Sequence, residues 1–168
     1  IPQGDWSSDV CSSDLAILAL CVLAAVLAAP GPITWSMCSK AGAHGSFDSV
    51  EIENNPVVPG QNTTVYGYGS IDKTVTEGAY WKMTASFKGL KVFSKKGNLC
   101  EDSTVKLPLG SGAIYINGLT CPQEAGKVSV VEKAIFNFKP PTGVYSIKCE
   151  MFDQDSEQIL CLNINVPM

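Results

Sequence analysis

Hydrophobic and polar side chains alternate with a period of two along several stretches of this chain, and no amphipathic helix of convincing length interrupts them. Such alternation marks strands with one buried face. The clearest case is Gly78–Lys88. There Ala79, Trp81, Met83, Ala85 and Phe87 share one face, and Tyr80, Lys82, Thr84, Ser86 and Lys88 share the other. Lys139–Val166 reads as a hairpin. Tyr145, Ile147, Cys149 and Met151 form the apolar face of its first strand, Asp153–Gln158 supplies a polar turn, and Ile159–Val166 returns. Pro140, Pro141 and Gly143 punctuate its start, since proline cannot donate to a ladder and glycine permits a sharp bend.

Shorter strand candidates are Ile33–Cys38, Ser49–Glu53, Thr63–Ser70, Leu90–Phe93, Val128–Val131 and Ala134–Phe138. Lys40–Ser46 reads as a loop, Asn55–Gly60 as a proline-broken connection and Lys95–Asn98 as a turn. Cys100–Cys121 reads as a long connection with one short apolar piece, Ala113–Ile116. Seven or eight short strands separated by turn signals predict an all-β chain folded as an antiparallel β-sandwich.

The first 29 residues do not belong to that pattern. Residues 1–14 are polar and aperiodic, and DWSSDVCSSDL resembles translated sequencing-adapter read-through, so they are read as non-native. Leu15–Ala29 is an uncharged apolar run, shorter than the roughly twenty residues that span a bilayer. Small residues near Ala28 suit signal peptidase, and the run is read as the apolar region of a secretory signal. An uncleaved anchor is the alternative.

Composition narrows the function. The net charge is −4, and setting aside Asp5, Asp9 and Asp14 leaves thirteen acids against twelve lysines. A near-neutral chain without arginine lacks the basic excess and the guanidinium forks that nucleic acid or phosphate clamps require. No nucleic-acid partner is expected. Five of the seven cysteines, Cys38, Cys100, Cys121, Cys149 and Cys161, lie beyond the leader. In a secreted domain that count suggests two disulfides and one free thiol, with the pairing open from spacing alone. No C-x-x-C occurs and His44 is the single histidine, so no metal site or cofactor is expected. Asn62-Thr63-Thr64 is a glycosylation sequon that follows a turn. An enzyme would have to route its chemistry through His44, and no nucleophile elbow is present, so catalysis is not expected. Asp153, Asp155 and Glu157 read as a solvated turn, because no glycine-pivoted calcium loop surrounds them.

Several motifs, in order, carry a family resemblance. They are Trp35-Ser36-Met37-Cys38, Val58-Pro59-Gly60, Glu77-Gly78-Ala79, Gly97-Asn98-Leu99-Cys100, Thr120-Cys121-Pro122, Pro141-Thr142-Gly143-Val144-Tyr145, and Cys161 in the last strand. Together they resemble the ML lipid-recognition family, over roughly Thr34–Val166, and are closest to its phospholipid-transfer branch. The resemblance implies one domain over residues 33–168, with an immunoglobulin-like sandwich whose sheets splay around an apolar cavity. It also implies the pairings Cys38–Cys161 and Cys100–Cys121, leaving Cys149 as a small buried hydrophobe. The first pairing sits awkwardly with alternation. Cys161 shares a face with Asn163 and Asn165, opposite Leu160, Leu162 and Ile164, unless a bulge or edge position intervenes.

The function so implied is lipid binding and transfer between membranes, with phospholipid or sterol as ligand. The protein would be a monomer, either secreted or in a lysosomal or vacuolar lumen, and would touch membranes transiently. Lipid presentation to a hydrolase or receptor is the alternative, as is an interaction module without a cavity. Met83, Phe87, Val92, Phe136, Phe138, Tyr145, Ile147 and Met151 are the expected cavity residues. Lys82, Lys88, Lys91, Lys95 and Lys96 are candidates to meet an anionic headgroup or leaflet at the mouth.

Overall fold

A computed structural model describes residues 31–168. The expectations for residues 1–14 and 15–29, with Cys11 and Cys21, lie outside the described residues. Ten strands form two antiparallel sheets of five, and no α-helix is present among the described residues. The first sheet runs β1 (Thr34–Met37), β10 (Gln158–Pro167), β9 (Val144–Phe152), β4 (Tyr80–Phe87), β5 (Leu90–Asn98). The second runs β2 (Gly45–Glu53), β3 (Asn62–Ile71), β8 (Gly126–Phe136), β7 (Gly112–Ile116), β6 (Ser103–Lys106). The core contains Trp81, Met83, Met151, Leu160, Leu162 and Ile164 from the first sheet, and Phe47, Val105, Ile114 and Ile116 from the second.

The sandwich is as expected, but the strand count differs for physical reasons. Cys100–Cys121 is not a plain connection. It contains β6 and β7, joined around a 3-10 turn at Pro108–Gly110. The two stretches expected around Val128 and Phe136 form one strand. Its polar Glu132-Lys133 step is held in the ladder by β3 on one side and β7 on the other. Lys95–Asn98 is strand rather than turn, paired to β4 as far as Tyr80–Asn98. Gly97 permits this, because a Cβ there would lie 2.4 Å from Cζ2 of Trp81. Its lysines fit an edge strand, where charge discourages pairing with other chains.

The structure contains Cys38–Cys161 and Cys100–Cys121 disulfides. No bulge is needed at Cys161. β1 pairs β10 through Met37–Leu162, so the next residues along are Cys38 and Cys161, with Cα atoms 4.8 Å apart. Leu162 can thus face the core while Cys161 meets its partner on the other face. Cys161 is nonetheless fully buried, and its N–H donates to the Ser39 hydroxyl at 2.9 Å.

The β9–β10 turn is also not merely solvated. Asp153 is 1% exposed. Its Oδ1 accepts the N–H groups of Asp155 and Glu157, and its Oδ2 accepts the Lys73 ammonium at 2.8 Å. The same ammonium reaches Asp155 at 3.1 Å and Glu157 at 2.8 Å. His44, Asp153 and Glu157 present potential metal ligands within 4.8 Å of one another, but the chain's own cation is already hydrogen-bonded to two of them. Burial raises the Asp153 pKa. The Lys73 ammonium and the two turn N–H groups outweigh it and hold the carboxyl below its ordinary value. Asp153→Asn should therefore cost about 2 kcal/mol near neutral pH, the scale of hydrogen bonds to a charged group. The loss should shrink as the pH falls below the ordinary carboxylate range near 4, where the unfolded chain takes up a proton that the folded carboxyl, with its lowered pKa, still resists. Urea unfolding of both proteins at pH 7 and pH 3 checks this. Equal losses at both pH values would refute a charge-based role.

Candidate functional site

At the pole opposite Asp153 the two sheets part. The gap is bounded by β5 at Val92 and Phe93, the Pro108–Gly110 turn, the β8–β9 connection and the end of β10. It is a cavity of about 270 Å³ in which Ser111 is the one polar residue apart from Tyr145. Ala85 and Ile147 form one wall as directly paired neighbours on β4 and β9. Ile114 and Phe136 come from the other sheet. Val92 and Phe93 both reach the cavity although they are adjacent in sequence. The pairing jumps from Ala85–Phe93 to Ser86–Lys91, which leaves Val92 as an extra residue. Such a bulge re-aims side chains that strict alternation would put on opposite faces.

Of the expected cavity residues, Val92, Phe136, Phe138, Tyr145 and Ile147 line the space. Met83, Phe87 and Met151 do not. Met83 and Met151 lie deeper between the sheets, around a small void of about 10 Å³. Phe87 stacks on Tyr145 with ring centroids 4.6 Å apart, and Gly143 lies so close that a Cβ there would be 2.6 Å from its ring. It packs beside Tyr145, its direct neighbour across β4 and β9, rather than on the open space. Lining residues that alternation did not single out include Leu107, Leu109, Ile114, Val166 and Met168. The Ala113–Ile116 piece carried a signal, but its role required knowing that it pairs with β8.

The rim is apolar and exposed. Leu109 is 97% exposed at the tip of the Pro108–Gly110 turn, with φ 56. A bulky residue in the left-handed region is uncommon, and full exposure of leucine forgoes its burial energy. Phe138, 50% exposed, stands in the β8–β9 connection. Lys88 lies in the β4–β5 turn and Lys91 just after it, at the end of the sandwich where Phe87 pairs with Tyr145. Lys139 adjoins lining residue Phe138 and was not anticipated; Lys106, next to Leu107, itself lines the separate groove between β5 and β6. The other expected mouth lysines stand away from it. Lys82 lies in mid-β4, paired with Lys96 and Glu150. Lys95 and Lys96 border a separate open groove between β5 and β6, and the Lys96 ammonium sits 3.5 Å from the Tyr80 ring centroid.

Deeper in the interior, Cys149 is a free, buried thiol whose pKa is driven up by burial and then by the nearby Glu132 and Glu150 charges. Glu132 faces the same space, lining two small voids with Cys149 and Met151. Burial pushes its carboxyl up to about 7. An inward carboxylate was not anticipated, because the polar Glu132-Lys133 step reads from sequence as a break between strands.

Residues 32–168 match the family model described as the ML domain. A phosphatidylglycerol/phosphatidylinositol transfer protein of Candida albicans is 30% identical over 120 residues, covering 71% of this chain and 57% of that protein. A protein of the same name from Cryptococcus neoformans var. neoformans is 27% identical over 143 residues, covering 81% of this chain and 74% of its own length. The chain thus spans less than two thirds of the Candida relative, and likewise 61% and 64% of those from Aspergillus fumigatus and Mycosarcoma maydis. Among solved structures, a Niemann-Pick type C2 protein from Japanese carpenter ant matches with a TM-score of 0.58 at 15% identity, covering 80% of this chain and 98% of that one. Chicken MD-1, solved in complex with lipid IVa, matches with a TM-score of 0.57 at 15% identity, covering 84% and 94%. At that identity these two similarities speak to the fold.

Proposed function

The chain belongs to the ML-domain family, and from this and its open apolar cavity we propose that it binds lipid and carries it between membranes through water. The cavity is the observation that carries the reading. Each methylene moved from water into such a space gains about 0.8 kcal/mol. A carrier with an apolar slot therefore lowers the cost of taking a lipid out of a bilayer and across the aqueous gap. At about 270 Å³ the space lies just under the ~300–1,000 Å³ typical of ligand pockets, so a whole phospholipid requires the sheets to part further. Phospholipid transfer is the activity named for the fungal relatives, and phospholipid or sterol is the ligand class proposed here.

The rim supports a transient membrane contact. Leu109 and Phe138 enter the leaflet, and Lys88, Lys91 and Lys139 approach anionic headgroups, each worth up to about 1 kcal/mol near a charged surface. The setting is the secretory pathway, outside the cell or in a lysosomal or vacuolar lumen, where two disulfides persist. Asn62, exposed at the start of β3, then carries a glycan. The role is binding rather than catalysis.

Native mass spectrometry of the protein recovered from a secretory host should find a bound lipid or uptake from phosphatidylglycerol vesicles. Ile147→Trp, which fills the cavity, should lower uptake at least tenfold without lowering the melting temperature. Leu109→Asp, at the most exposed point of the rim, should slow transfer between labelled vesicles several-fold, a larger effect than on equilibrium uptake. A wild-type protein that takes up no lipid would refute the carrier reading.

A further inference from the structure

The sheets also part along one side. β5 ends the first sheet and β6 ends the second, each paired on one flank only. Between these edges lies a groove of about 420 Å³ whose lining residues are distinct from those of the apolar cavity. Phe93 and Leu107 line the cavity, and Lys95 and Lys106 on the same two segments line the groove. From Phe93 to Asn98, β5 pairs with β4 without a register shift, which makes a regular edge about 20 Å long. Along it the backbone N–H and C=O groups that turn away from β4 have no strand to meet.

The groove carries charge of one sign. Lys95 and Lys96 from β5 and Lys106 from β6 line it with Ser103 and Thr104, and no carboxylate does. All three lysines are exposed, and none makes an ion pair among the described residues, in contrast to Lys73 and Lys148. Glu101 and Asp102, in the bend between β5 and β6, accept instead from the Asn98 side chain and the Gly118 N–H. Trp81 also lines the groove. It is 6% exposed, and its indole N–H has no hydrogen-bond partner. The N–H edge of the ring faces β5, since a Cβ on Gly97 would fall 2.8 Å from Nε1. A buried donor without an acceptor calls for an explanation. Edge protection accounts for charge strand by strand, and on β2 acids serve it, with Asp48, Glu51 and Glu53. It does not account for lysines of two edges meeting at one groove without an acid, nor for the unmet donor.

We propose that this edge docks an acidic, extended segment of a partner protein, which adds to β5 as a sixth strand of the first sheet and directs carboxylates into the groove between Lys95 and Lys106. In strand addition the backbone ladder supplies affinity and alternate side chains supply specificity. Lysines that discourage a neutral or basic strand attract one that carries carboxylates. Side chains of the added strand alternate, so every second one faces the groove and is the acid. A carboxylate suits the lining, because it only accepts, while ammonium, hydroxyl and indole N–H groups all donate. A lipid leaflet is flat and offers nothing to the free backbone groups of β5, which favours a polypeptide. The docking site is independent of the carrier reading.

The probe is a capped peptide as long as β5 that alternates glutamate with threonine. Calorimetry should detect binding to the wild-type protein, and amide hydrogen exchange should slow across Phe93–Asn98, as a new ladder requires. Lys95→Glu combined with Lys106→Glu should weaken binding at least tenfold. A peptide with lysine in place of glutamate should bind that variant better than wild type. Both lysines are exposed, so the variant should fold, and circular dichroism verifies it. Equal binding to wild type and variant, or binding without slower exchange at Phe93–Asn98, would overturn the proposal. Failure of the peptide where phosphatidylglycerol vesicles bind through the same lysines would also overturn it and give the groove to a membrane. Self-association of wild type that the variant loses would overturn it in favour of a second copy, docking by the acidic β2 edge.

Discussion

Serine at both Cys38 and Cys161 should destabilise the protein by about 5 kcal/mol. The bond joins residues 123 apart, so it closes nearly the whole described chain into a loop and removes much of the entropy of the unfolded state. The native side adds to the loss. β1 is a four-residue edge strand held by β10 alone, and Cys161 is fully buried, so the substitution strands a hydroxyl where a sulfur packed. Total stabilities of about 5–15 kcal/mol leave little margin for such a loss. The corresponding change at Cys100 and Cys121, which close 21 residues, should cost only about 3 kcal/mol. Urea unfolding of both double variants gives the comparison. A Cys38/Cys161 loss no larger than the Cys100/Cys121 loss would show that loop entropy is not what this bond contributes.

Glu132→Leu should stabilise the empty protein by about 3 kcal/mol at pH 8 and much less at pH 4.5. The folded carboxyl titrates near 7 against an ordinary value of 4.5, because burial disfavours its charge. Each pKa unit is worth about 1.4 kcal/mol. The sign follows from proton counts. Between 4.5 and 7 the folded state holds a proton that the unfolded state has released, so wild-type stability falls as the pH rises and levels off above 7. Leucine abolishes that slope and adds apolar packing. Glu132→Gln abolishes the slope too but keeps a polar group, so it should lie between the two at pH 8. Asp153 acts in the opposite sense, losing its contribution as the pH drops below its ordinary range. On these two groups alone, stability should be greatest at mildly acid pH. Urea midpoints from pH 4 to 8 test this, and a wild-type curve that rises through pH 5–7 would refute the role of Glu132.

Much of the fold was legible in the alternation. β4 and β9 fall where the period-two pattern puts them, because each has one buried face and the pattern records it directly, and β10 falls there too although its first half is buried on both faces. β5 beyond Phe93 and β6 escaped notice for the same reason. As edge strands they carry lysine and serine, and Gly97 is there for the Trp81 ring rather than for a turn. The candidate site was half legible. Phe136, Tyr145 and Ile147 line the cavity, while Met83 and Met151, equally apolar and equally inward, lie in packed core. Nothing in their own strands distinguishes them. Lys73 with Asp153, 80 residues apart, and Glu132 facing Cys149 from the other sheet were beyond any local pattern.

By itself the sequence determined the sandwich class, the shared faces of strands with one buried side, a near-neutral charge without arginine, and a family likeness strong enough to imply both disulfides. Tertiary structure alone decided which inward residues border open space, which loops form the rim, and that a carboxyl borders the small inner voids. The physical reason is that alternation is a property of one strand, set by the pleat, whereas a cavity is a property of how strands distant in sequence are paired and stacked. Neighbouring residues on one strand cannot record the register of a strand in the opposite sheet.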